Sequence, residues 1–104
     1  LGIQGLEMKM QRYITIDNAS GYVWADVVAD SIIEAAHASD REVGGESHEY
    51  ATAGRPNFSN ETGYHVYAAP EDFPAVEDGQ DAASIDRVMA LPLAGYVRRA
   101  AADE

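Results

Sequence analysis

Polar and apolar positions alternate in two stretches of the chain and follow a helical rhythm in two others. From Met10 onward, Met10, Arg12, Ile14 and Ile16 fall on one side and Gln11, Tyr13, Thr15 and Asp17 on the other. With β-branched and aromatic residues at its centre, 10–16 is expected to be a strand. Asp17, Asn18, Ser20 and Gly21 then form a turn cluster, in which Asn18 or Gly21 can take positive φ. Beyond the turn, Trp24, Val27, Val28, Ile32, Ala35, Ala36, Ser39 and Val43 recur at helical spacing. Asp26, Asp30, Glu34, His37 and Arg41 occupy the opposite side. No Pro or Gly interrupts Tyr22 to Val43. The pattern predicts one long helix over residues 25–42, N-capped by Ser20 or Asp26 and stopped by Gly44 and Gly45.

After Gly45 the rhythm weakens. Residues 47–53 make a second strand of low hydrophobicity, and the Gly, Pro, Asn and Ser of 54–61 suit a long hairpin loop. Residues 62–69 alternate again, with Tyr64, Val66 and Ala68 on one face and His65, Tyr67 and Ala69 on the other. A hairpin closed at 54–61 brings Tyr50 near Tyr64, His65 near Glu49, and His48 towards His65. Pro70 to Gln80 is an acidic connector that Phe73 and Val76 pin to the body. A shorter helix is expected from Asp81 or Ser84 to Ala90, turning Ile85, Val88, Met89 and Leu91 inward before Pro92 stops it. Residues 93–101 are expected to add a further helical turn or two.

The resulting order is β–α–β–β–α. The fold class is α+β: a small antiparallel three-stranded sheet with one long helix packed across it. A sheet that small leaves open edges, so homodimerisation through an edge or a tyrosine-bearing face is a second expectation. Residues 1–9 are set aside as a leader or expression-derived segment, since Met8 and Met10 both suit a start, and 10–104 form a single domain.

Composition narrows the chemistry. Eighteen acidic residues face seven basic ones, a formal net charge of −11. Such a surface repels phosphate backbones and argues against direct nucleic-acid binding. A salt-adapted host accounts for the same acidity without a partner. With no cysteine, disulfides, thiol nucleophiles and thiolate zinc sites are excluded. No apolar run reaches the roughly 20 residues of a membrane span, and a cytoplasmic protein is expected. No Gly-rich phosphate loop precedes a helix, and no serine lies in a nucleophile elbow.

Candidate function therefore rests on surface. On the long helix, Asp26, Asp30 and Glu34 sit at successive i, i+4 positions as an acidic ridge, each like-charge pair costing about 0.2–0.5 kcal/mol. Tyr22 and Trp24 at the helix entrance either anchor helix to sheet or form an aromatic recognition patch. Together these five residues are the expected partner-binding set. The expected function is that of a small acidic, non-enzymatic interaction protein engaging a basic protein surface. One sharp form is an inhibitor of a nucleic-acid-handling protein, which a phage or mobile-element setting would favour. The alternative is a small dimeric enzyme or ligand-binding domain with a pocket between helix and sheet, lined by Tyr22, Trp24, Tyr64 and His65. No catalytic residue, metal or cofactor is assigned, because the spacing of His37, His48 and His65 matches no metal motif.

Overall fold

A computed structural model describes residues 10–46, 48–53 and 62–100. The expected leader at 1–9 and the expected hairpin loop at 54–61 lie outside the described residues. The elements run β1 (Gln11–Asp17), β2 (Val23–Ala29), α1 (Ile32–Glu42), β3 (Tyr50–Thr52), β4 (Gly63–Ala69), α2 (Ala82–Met89) and β5 (Leu93–Arg99). The strands form one antiparallel sheet in the order β2-β1-β4-β5-β3. The class is α+β, but the architecture corrects the expected one: five strands replace three, and in place of one long helix across the sheet stand two short ones, α1 and the expected second helix α2.

The largest correction falls on the expected helix at 25–42. Its first half is β2. Val23–Ala29 satisfies both periods, because Val, Ala, Val and Ala alternate with Trp24, Asp26 and Val28 as well as recurring every three or four residues. Pairing decides between them. As a strand the segment gives β1 a second neighbour and sets Arg12 beside Asp26. The helix therefore begins at Ile32, capped by Ser31 (not Ser20 or Asp26), whose hydroxyl accepts the Glu34 amide at 3.1 Å. Its stop is as expected: Gly44 takes φ 78°, and the Gly45 amide donates to the Asp40 carbonyl at 2.9 Å.

The second correction concerns connectivity. β3 and β4 do not form a hairpin, because β5 lies between them. Residues 93–99, expected to be helical, carry Tyr96 and Val97 into the sheet with Val97 fully buried, and the strand meets β4 on one side and β3 on the other. Three other elements fall close to where they were expected. β1 and β4 lie within one residue of their expected bounds, and α2 starts after Asp81, which caps it. Val88 is buried as expected, whereas Met89 stays 47% exposed.

The sheet buries both faces. On one, Ala35 and Ala36 of α1 pack on Ala25, Val27, Tyr64, Val66 and Val97, and a buried Thr15–Ser39 hydroxyl pair at 2.9 Å ties α1 to β1. Gly95 permits that approach: a Cβ there would stand 2.5 Å from Ile32 Cδ1. On the other face, Ile14, Ile16, Tyr67, Ala69 and Val88 form a second cluster, with Phe73 and Val76 of the connector against it.

Candidate functional site

The β2 edge is the first candidate. Antiparallel strands alternate residues whose backbone groups bond one neighbour with residues that bond the other. Asn18 N–H donates to Gly63 O at 3.0 Å and Arg99 N–H to Thr62 O at 3.0 Å, which fixes the parity across the sheet. The even residues of β1 bond β4 and its odd residues bond β2, so Ala25, Val27 and Ala29 of β2 face inward. The N–H and C=O of Asp26 and Val28 point away from the sheet, and no backbone partner meets them among the described residues. The start of the same edge is covered, since Val23 N–H donates to Gly79 O at 2.9 Å.

Side chains give this edge its character. Val28 is 59% and Met10 57% exposed. They separate two open grooves: one of about 480 Å³ with Asp30, Ser31, Glu34, Ala38 and Arg41, and one of about 540 Å³ with Gln11, Arg12, Ala69, Pro70 and Glu71. Arg12 holds the second groove's wall in place. Its Nε and Nη2 donate to the two Asp26 carboxylate oxygens at 2.8 and 2.6 Å, and its Nη1 to the carbonyls of Pro70, Glu71 and Phe73 at 3.0, 3.2 and 2.6 Å. The hydrogen bond to Asp26 raises the guanidinium pKa above its ordinary value. Arg12 and Asp26 thus cancel, and the charges left at the rims are Asp30, Glu34 and Glu71 against Arg41.

The second candidate surrounds Asp40, which is 4% exposed on the inner side of α1. Tyr64 OH donates to it at 2.8 Å, Tyr50 OH at 2.9 Å and the His48 amide at 3.2 Å. Burial first, and then Asp40, pushes both phenol pKa values well up. These groups border a cavity of about 200 Å³ that Trp24 and Arg99 also line. Each hydroxyl spends its proton on Asp40, and neither tyrosine ionises near neutral pH. The arrangement ties α1 to β3 and β4, and the His48 ring, which also lines the cavity, brings its Nδ1 to 3.7 Å from Asp40.

Several expected neighbours are apart. Asp26, Asp30 and Glu34 form no helical ridge: Asp26 lies on β2 in its ion pair, Asp30 at the β2–α1 junction, and Glu34 in the first turn of α1. Tyr22 and Trp24 stand at the start of β2 rather than at a helix entrance, 40% and 37% exposed. Of the alternative pocket, Trp24 and Tyr64 share the Asp40 cavity, but His65 is on the opposite face of β4. There its Nδ1–H donates to Asn18 Oδ1 at 2.6 Å, its ring lies 4.9 Å from Tyr96, and burial lowers its pKa to about 4. His48 and His65 accordingly do not meet, although Tyr50 and Tyr64 do, with ring centroids 5.7 Å apart.

Two residues were overlooked by the sequence reading, and both carried a signal. Arg12 is a cation on the otherwise apolar side of an alternating strand, and Asp40 falls on the same helical stripe as Ala36 and Ser39. Comparisons with protein-family profiles, characterised proteins and solved structures find no match. Among the described residues no helix is long and apolar enough to cross a membrane.

Proposed function

We propose that the protein is a non-enzymatic interaction module that engages a basic protein surface along the β2 edge. The observation that supports this best is the pairing of exposed apolar side chains, Met10 and Val28, with the exposed carboxylates Asp30 and Glu34 around one groove, where the two acids outnumber Arg41. Within a chain of net charge −11, that rim attracts cations and steers them to a surface able to bury apolar area. Asp26 serves by holding Arg12, while Tyr22 and Trp24 extend the surface to the other end of β2. A cytoplasmic setting belongs to the same proposal, since a chain without cysteine gains nothing from an oxidising compartment.

A specific form of this reading is inhibition of a nucleic-acid-handling protein, in which carboxylates occupy sites that otherwise hold phosphates. The test is charge reversal. Asp30→Lys with Glu34→Lys should weaken binding to the partner at least about tenfold, and wild-type binding should itself weaken between about 50 and about 300 mM NaCl. Unchanged binding of the double variant to every captured partner would remove the proposal. Competition between DNA or RNA and this protein for one partner identifies the inhibitor form.

A further inference from the structure

The acids at the β2 edge set the charge of the partner; the backbone of β2 sets its shape. We infer that the part of β2 with no backbone partner among the described residues accepts an extended segment of the partner bearing lysine or arginine, which adds to the sheet as a sixth strand. The inference rests on the proposed function and narrows it to one binding mode.

Asp26 and Val28 each present one N–H and one C=O away from β1, the spacing at which an added antiparallel or parallel strand forms its ladder. Gly79 occupies the Val23 end, so the added strand is confined to the half of β2 that runs from Asp26 towards Asp30. Successive side chains of an extended segment point to opposite faces. Here those faces are the two grooves that Val28 and Met10 divide. The groove beside α1 offers Asp30 and Glu34 against a single cation, Arg41, and the groove beside the connector offers Glu71. A cation on either parity of the incoming strand therefore meets a carboxylate.

The same charges weigh against a second copy of this chain as the occupant. Two bodies of −11 repel, and β2 itself (Val-Trp-Ala-Asp-Val-Val-Ala) brings no basic residue to its twin.

The probe is a synthetic peptide of about seven residues, the length of an ordinary strand, alternating lysine and valine, beside a control with glutamate for lysine. On binding the lysine peptide, the amides of Asp26 and Val28 should become protected from hydrogen exchange, and the control should not bind. Val28→Pro removes the outward N–H without changing charge, at an edge position where proline is tolerated. It should weaken the peptide at least about tenfold while the circular dichroism spectrum is kept, and independently of that variant's folding, peptides N-methylated on one parity should lose binding while those methylated on the other keep it. The inference is overturned by failure of the lysine peptide to bind, by protection elsewhere, or by indifference to both Val28→Pro and N-methylation. A dimer that Val28→Pro dissolves overturns it too, since the twin then holds the edge. If Asp30→Lys with Glu34→Lys releases a partner that Val28→Pro retains, the proposed function stands and strand addition alone falls.

Discussion

Arg12 is the residue on which the shape of the β2 edge depends most, and its removal has a calculable cost. The guanidinium makes two hydrogen bonds to Asp26 and three to connector carbonyls, and its side chain and that of Asp26 are 15% and 30% exposed. An exposed pair contributes about 0–1 kcal/mol, whereas removing one partner of a buried pair costs about 3–5 kcal/mol. This pair lies between those limits. Its bidentate geometry and the Phe73 carbonyl at 2.6 Å place it nearer the buried case, while partial exposure lets water reach Asp26 and the Pro70 and Glu71 carbonyls. Arg12→Met, which keeps the aliphatic stem, should destabilise the protein by about 2–3 kcal/mol. For a domain of this size that lowers Tm by roughly 10 °C or more. Arg12→Lys keeps the charge but loses the fork and should cost about 1–2 kcal/mol.

The decisive comparison is the double variant. If the cost of Arg12→Met comes from stranding Asp26, then adding Asp26→Leu should return about half of it, because a carboxylate left without its cation is the expensive species. Urea unfolding at neutral pH, followed by circular dichroism and by Trp24 fluorescence, gives all four corners of the cycle. Arg12→Met within about 0.5 kcal/mol of wild type would refute the argument, as would strictly additive single substitutions.

Two further predictions follow from buried polar groups. His65, with its pKa lowered to about 4 against about 6.5 unfolded, takes up a proton more readily when the chain unfolds. Its contribution is therefore intact above about pH 6.5 and lost as pH falls towards 4, about 2–3 kcal/mol between pH 7.5 and 4.5; His65→Gln should flatten that part of the urea-derived stability profile, and an unchanged slope would contradict the burial argument. Asp40→Ala leaves the Tyr50 and Tyr64 hydroxyls and the His48 amide without their acceptor, and should cost about 2–4 kcal/mol in the same assay. In the wild type, absorbance titration should show Tyr50, Tyr64 and Tyr67 still protonated at about pH 10, and full ionisation there would contradict their burial.

The parts of this structure that were legible in the sequence are those governed by local signals. The alternation of β1 and β4, the facing of Tyr64 against His65, the Asp81 cap and the glycine stop after α1 each follow from a handful of adjacent residues. The parts that were not legible depend on distant partners. Val23–Ala29 suits a helix or a strand, and only β1 with Arg12 chooses. Leu93–Arg99 is ordered by β3 and β4, between 45 and 49 residues and between 26 and 35 residues away respectively as their registers pair. The acidic ridge vanished with the helix that carried it. The open edge and its grooves could not be foreseen until β2 was a strand.

The placement of β5 has a consequence for how the chain assembles. Among the described residues β3 pairs with no strand except β5, and Tyr50, one clasp of the Asp40 knot, travels on β3. While the polypeptide is being made, β1, β2 and α1 can organise soon after they emerge, but β3 must wait until the final strand slots in beside it. A ribosome-stalled or C-terminally trimmed product missing 93–99 would thus leave β4 with a raw flank and Tyr50 adrift, so cellular proteases should recognise such a fragment long before the finished molecule.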